Sequence, residues 1–184
     1  MLFRSVSQSR YTVGSAVADS GVIFADSLGR KWMRQIDGHV NIRWYDTTDM
    51  NQVMTKISTL ITASLVPKNV YIPTGTYAFT DTYTFTVGMC LYGDGISRSV
   101  VTFPLNKAGF KFVYDYIYDN YTLRDFSMYG TSVSTSVGVP LYSDWDMNAH
   151  GITMSRQSIF ERIEVKGFSG YGIVTGKQIG RAHV

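Results

Sequence analysis

The sequence predicts an all-β fold, a right-handed parallel β-helix with one N-terminal capping α-helix. Three observations predict it: a composition weighted towards strand formers, a single amphipathic segment followed only by short alternating runs, and glycine-terminated motifs recurring at fixed intervals. Of 184 residues, 45% are hydrophobic and 17% charged, which allows a buried core and excludes a disordered chain. With 13 Tyr and 10 Phe, and plentiful Val, Ile and Thr, the chain suits pleated surfaces better than helices.

Residues 1–39 read as an extended head or attachment segment. Residues 1–11 hold Arg4 and Arg10 but no apolar stretch of signal-peptide length, and no later run reaches transmembrane length. Gly21-Val22-Ile23-Phe24-Ala25 alternates, Asp26-Ser27-Leu28-Gly29 supplies a turn, and Lys31-Trp32-Met33-Arg34-Gln35-Ile36 alternates again before Asp37-Gly38. The pattern predicts a β-hairpin.

Residues 40–178 are expected to hold the first coils of the β-helix. A strand from His39 to Tyr45 places Val40, Ile42 and Trp44 on one face. A helix is predicted over about 47–66, with Thr47 or Thr48 as N-cap, Asp49 in the first turn and Pro67 as the stop. Met50, Val53, Met54, Ile57, Leu60, Ile61 and Leu65 form its apolar stripe, which is expected to plug the open end of a strand stack. Pro73 and Gly75 then force a turn between Val70/Ile72 and Tyr77/Phe79.

Two motifs recur beyond that point. Met89-Cys90-Leu91-Tyr92-Gly93, Phe126-Ser127-Met128-Tyr129-Gly130 and Ile163-Glu164-Val165-Lys166-Gly167 each read apolar, outward, apolar, outward, Gly, with glycines 37 residues apart. Gly109-Phe110, Gly151-Ile152 and Gly172-Ile173 repeat a Gly-apolar pair, the last two 21 residues apart. Such units cannot bury their inward side chains alone, so they stack. An antiparallel sandwich is the competing architecture, but the hairpin turns it needs are scarce here.

The last six residues, Ile179-Gly180-Arg181-Ala182-His183-Val184, match the translation of a short-read sequencing adapter, ATC GGA AGA GCA CAC GTC. The adapter's next codon is the stop TGA, and its two preceding bases complete a CAG codon for Gln178. Residues 179–184 are therefore read as an adapter artefact, and the natural protein is expected to continue past Lys177.

Several classes are disfavoured. The net charge of +3 is spread without a Lys/Arg block, so no nucleic-acid partner is expected. The lone Cys90 forms no internal disulfide and reads as an incidental strand residue. His39 and His150 are isolated, with no metal-ligand spacing, so neither a metal nor another cofactor is expected. Gly93-Asp94-Gly95 has no following helix to cradle a phosphate, and Asp94 reads as a turn residue.

Val40-Asn41-Ile42-Arg43-Trp44-Tyr45 with the helix after it, Val70-Tyr71-Ile72-Pro73-Thr74-Gly75-Thr76-Tyr77, and Leu91-Tyr92-Gly93-Asp94-Gly95 together resemble the pectate-lyase superfamily, the single-stranded, pectin-lyase-like β-helix domains of phage tailspikes and tail fibres. The resemblance covers roughly residues 40–178. Asp46-Thr47-Thr48-Asp49 stands where the family usually has Gly-Asp-Gly and paired Asp. The resemblance implies a phage tail protein in the virion, working as a homotrimer. It would join the tail or baseplate through its N-terminal segment, bind a bacterial surface polysaccharide, and in the catalytic version depolymerise it. The alternatives are a secreted or cell-surface bacterial polysaccharide lyase or glycoside hydrolase, and a non-catalytic β-helix adhesin. Membrane insertion is not expected.

Cleavage by hydrolysis needs two facing carboxylates, and a lyase needs a base with a cationic stabiliser. Asp125, Glu161 and Glu164, on or beside the repeat strands, are the catalytic candidates. The competing reading pairs them with Arg124 and Arg162 as surface charges. Residues 131–148 interrupt the repeat and include Tyr142, Asp144, Trp145 and Asp146. A Trp flanked by Asp on a loop suits sugar stacking with carboxylates on the hydroxyls, and equally suits packing against the sheet or a neighbouring subunit.

Overall fold

In a computed structural model of the chain, the described residues are 17–112, 120–131, 150–154, 158–168 and 173–175. The chain opens with the expected hairpin. Strands β1 (Ile23–Ala25) and β2 (Lys31–Met33) pair antiparallel, Phe24 opposite Trp32. Asp26 makes the turn: its Oδ1 accepts from the Leu28 and Arg30 amides at 3.0 and 2.9 Å.

A second carboxylate anchors this hairpin to the body. Asp19 Oδ1 accepts from the amides of Gly21, Val22 and Ile23 at 2.8–2.9 Å, and the Tyr45 hydroxyl donates to Oδ2 at 3.4 Å. Lys56 donates to the Asp19 carbonyl from the helix side at 3.0 Å. Burial, with the Asp19 charge adding to it, pushes the Tyr45 hydroxyl far above its ordinary pKa, so it stays a donor.

Strand β3 is only Val40–Asn41, and a 3-10 turn over Ile42–Trp44 replaces the rest of the expected strand. The Asn41 side chain accepts from the Arg43 amide at 2.9 Å, a local bond that competes with strand pairing. Helix α1 then spans Met50–Thr62. Its N-cap is Asp49, whose carboxylate accepts from the Asn51 amide at 2.9 Å, while Thr47 caps Asp49 itself at 3.2 Å. The helix ends before Pro67 because Ser64 turns left-handed (φ 55°) and the Leu65 amide returns to the Leu60 carbonyl at 3.0 Å. Met50, Val53, Met54, Ile57, Leu60 and Ile61 are all buried on one stripe, each contributing on the order of 1.5–3 kcal/mol.

The remaining strands are β4 (Asn69–Ile72), β5 (Gly75–Ala78), β6 (Tyr83–Phe85), β7 (Cys90–Gly93), β8 (Ser99–Phe103), β9 (Phe110–Phe112), β10 (Tyr121–Gly130), β11 (Ile152–Met154), β12 (Ser158–Lys166) and β13 (Ile173–Thr175). All of their pairings are parallel. One sheet has seven strands, ordered β3-β4-β7-β10-β8-β5 with β12 also on β10; the other has four, ordered β13-β11-β9-β6.

This corrects the predicted fold class. The all-β right-handed parallel β-helix is not what the chain forms. It is a mixed α/β structure with two parallel sheets and one helix, and among the described residues there is no closed or solenoid β-helix. The physical reason lies partly in α1, which joins the neighbouring parallel strands β3 and β4 as a crossover. It lies also in the repeat. Gly130 and Gly167 do stand together 37 residues apart, but β7 aligns with β10 at an offset of 32, Cys90 against Thr122 and Leu91 against Leu123. The first 37-residue glycine interval is therefore not a structural period.

The Gly-apolar motif fares differently. Phe110, Ile152 and Ile173 lie side by side in the four-stranded sheet, with Tyr83 next to Phe110; Gly172 lies outside the described residues. A Cβ on Gly109 would collide with the Gly151 carbonyl, and one on Gly130 with the Gly167 carbonyl, so close backbone approach requires these glycines.

The core between the sheets is aromatic. Phe110 is fully buried and meets Phe79, Phe85 and Phe103 edge-on at 5.0–5.4 Å, while Phe85 stacks on Phe112 and Phe79 on Phe103 at 4.7 Å. Edge-to-face and offset-stacked pairs add to what area burial supplies.

Candidate functional site

Register places two rows of residues on the long sheet, one position apart. Val40, Val70, Leu91, Leu123 and Phe160 form the inner row, the first four fully buried. Asn41, Tyr71, Tyr92, Arg124 and Glu161 form the outer row. Strand alternation alone sends the second row to the opposite face.

The outer row is an aromatic and polar ladder. Tyr71 and Tyr92 lie 5.3 Å apart at 32°, His39 packs edge-on to both at 5.2 and 5.9 Å, and the Arg124 guanidinium lies over Tyr92 at 5.3 Å. All four side chains are half-buried, so each keeps an accessible edge. The Nε of Arg124 is buried without a hydrogen-bond partner among the described residues. Cys90 pairs opposite Thr122 on the neighbouring strand; burial raises its thiol pKa, with the Arg124 charge opposing.

Asp94 closes one end. Its Oδ1 accepts from the Tyr71 hydroxyl at 2.7 Å, and its Oδ2 accepts from the Thr74 amide and hydroxyl at 2.6 and 2.7 Å. The Tyr71 and Thr74 bonds hold this carboxyl below its ordinary pKa, and the same bond raises the Tyr71 hydroxyl. Arg43 donates to the Thr74 carbonyl and stands 5.8 Å from the Tyr77 ring centre.

No family model matches this sequence, and no curated protein or solved structure matches it either.

The three catalytic candidates fall in two places. Asp125 is gripped by Arg162, Nε to Oδ1 at 2.5 Å and NH2 to Oδ2 at 2.9 Å, and this pairing pulls the carboxyl pKa down. Both residues sit at left-handed φ (61° and 49°), where β10 and β12 bend together; the register passes from Arg124–Glu161 to Phe126–Ile163. The pair is a corner clamp. Glu164 accepts from Tyr129 at 2.7 Å, Ser127 at 2.9 Å and Lys166 at 3.1 Å, in that order the bonds lowering its pKa. Glu161 lies exposed at the end of the outer row, opposite Arg124. A general acid needs a raised pKa, and the environments of Asp125 and Glu164 do the reverse.

Tyr142, Asp144, Trp145 and Asp146 lie outside the described residues. Among the described residues no cluster of three or more His, Cys, Asp or Glu is placed to hold a metal ion, and no helix is long and apolar enough to cross a membrane. The outer row is not visible in the sequence because its members lie 30, 21, 32 and 37 residues apart. The available signal was local: each follows directly on an inward apolar residue, Val40, Val70, Leu91, Leu123 or Phe160.

Proposed function

We propose that this chain binds a bacterial surface polysaccharide as part of a phage tail fibre or tailspike. The observation that carries the binding reading is the outer row, in which Tyr71, Tyr92 and His39 offer apolar ring edges beside Arg124, Glu161 and Asn41. A sugar ring has apolar C–H faces and a rim of hydroxyls, and a surface alternating ring carbons with fixed donors and acceptors matches both. Five strands at roughly 4.8 Å spacing give a track on the order of 20 Å long, suited to several sugar units. The placement in a phage tail, and the homotrimer and tail attachment that go with it, rest on the resemblance of the stretches around Val70 and Leu91.

Binding is favoured over cleavage at Asp125 and Glu164, since Arg162 occupies the first carboxylate and Tyr129, Ser127 and Lys166 occupy the second. The test is titration of the protein with purified capsular and O-antigen polysaccharides, with product sizes followed. Saturable binding without new reducing ends or unsaturated sugars supports the proposal. Chain shortening that Asp125→Asn or Glu164→Gln abolishes would replace it with an enzymatic reading.

A further inference from the structure

A second recess, an open surface groove of about 490 Å³, lies between α1 and β6, away from the outer row. Thr55, Thr59 and Thr62 line the helix side, and Thr84 and Thr86 the strand side. At its base the buried Ser58 and Tyr83 hydroxyls share a hydrogen bond of 2.7 Å. No charged side chain lines it.

The hydroxyls on the helix wall have a fixed polarity. Thr55 donates to the Asn51 carbonyl at 2.7 Å, Thr59 to Thr55 at 3.0 Å and Thr62 to Ser58 at 2.9 Å. Each proton is thereby committed to the backbone, leaving oxygen lone pairs beside a methyl group to face the groove. Across from them, β6 pairs with β9 on one side and carries no strand on the other among the described residues. The Tyr83 amide donates towards β9, to the Gly109 carbonyl at 3.1 Å. In a parallel ladder the next residue points the other way, so Thr84 turns its amide and carbonyl to the open side.

We infer that this groove binds a neutral pyranose, its hydroxyls donating to the threonine oxygens and its C–H face resting on the threonine methyls. The wall supplies acceptors and methyls with no formal charge, so a carboxylated or phosphorylated sugar would find acceptors and no cationic partner there. The volume falls within the usual range for small-ligand sites, roughly 300–1,000 Å³. The inference does not depend on the outer row.

The experiment is amide-resolved NMR titration of the whole chain with methyl α-D-glucopyranoside, methyl α-D-galactopyranoside and methyl α-L-rhamnopyranoside, and with glucuronate as the charged comparison. Saturable shifts at Thr55, Thr59 and Thr84 are expected with at least one neutral glycoside and not with glucuronate. Thr59→Arg, at an exposed helical position that tolerates a long side chain, should weaken that binding about ten-fold or more. Tyr92→Ala on the other face should leave it unchanged. Absence of groove shifts with all three glycosides overturns the inference, as do equal shifts with glucuronate or an unaltered affinity in Thr59→Arg. Groove shifts produced only by an extended peptide would assign β6 to strand addition instead.

Discussion

The inner and outer rows of the seven-stranded sheet run along the same five strands, one residue apart, and do opposite things. Val40, Val70, Leu91 and Leu123 are wholly removed from water; Tyr71, Tyr92 and Arg124 keep accessible edges and pack on one another. The inner row holds the fold through apolar burial, and the half-buried outer row is the face on which the proposed binding rests. The comparison teaches that, with side chains alternating between faces, outward positions of a strand can change while the inward core next to them is retained.

The comparison breaks most sharply at the core's centre. Phe110→Ala removes the ring on which Phe79, Phe85 and Phe103 converge and should cost about 3–5 kcal/mol in denaturant unfolding. Leu123→Ala, in the inner row, should cost about 2–5 kcal/mol. Its outer neighbour set behaves differently: Tyr92→Ala should cost roughly 0.2–1 kcal/mol, the scale of one cross-strand pair, while weakening polysaccharide binding. Equal stability losses for Leu123→Ala and Tyr92→Ala would erase the distinction between the rows.

Smaller effects sharpen it. Asp49→Ala removes the N-cap of α1 and should cost about 1 kcal/mol. Asp94 should leave a trace in the pH dependence of stability. Its folded pKa lies below the ordinary 3.8, so its contribution is present above that value and is lost as pH falls through the folded pKa. Asp94→Asn should flatten the acid limb of the stability curve below about pH 4 and leave the neutral range nearly parallel. An unchanged acid limb would mean the Tyr71 and Thr74 bonds do not favour the ionised carboxyl.

The legible part of the fold was its local chemistry. The apolar stripe from Met50 to Ile61 marked the helix, the Asp26 turn marked the hairpin, and Gly109-Phe110, Gly151-Ile152 and Ile173 marked positions that do pair. Register was not legible. A glycine interval of 37 residues is real between Gly130 and Gly167, where two backbones touch, and accidental between Gly93 and Gly130, where the true offset is 32. Treating both intervals as one period is part of what makes the sequence read as a β-helix. The pairing of Asp125 with Arg162 as surface charges is legible and is what forms, whereas the Tyr129 and Ser127 hydroxyls on Glu164 need the β10–β12 register, and the left-handed bend at Asp125 and Arg162 carries no composition signal. The outer row needed register for the same reason.

The most direct test of the recognition claim is a microarray of bacterial capsular and O-antigen polysaccharides, probed with the unaltered chain and with Tyr92→Ala and Arg124→Ala at matched thermal stability. The account predicts that the unaltered chain binds at least one polysaccharide and that each variant loses about ten-fold in affinity for it. Binding unaffected by both substitutions, or no binding to any polysaccharide, would contradict it.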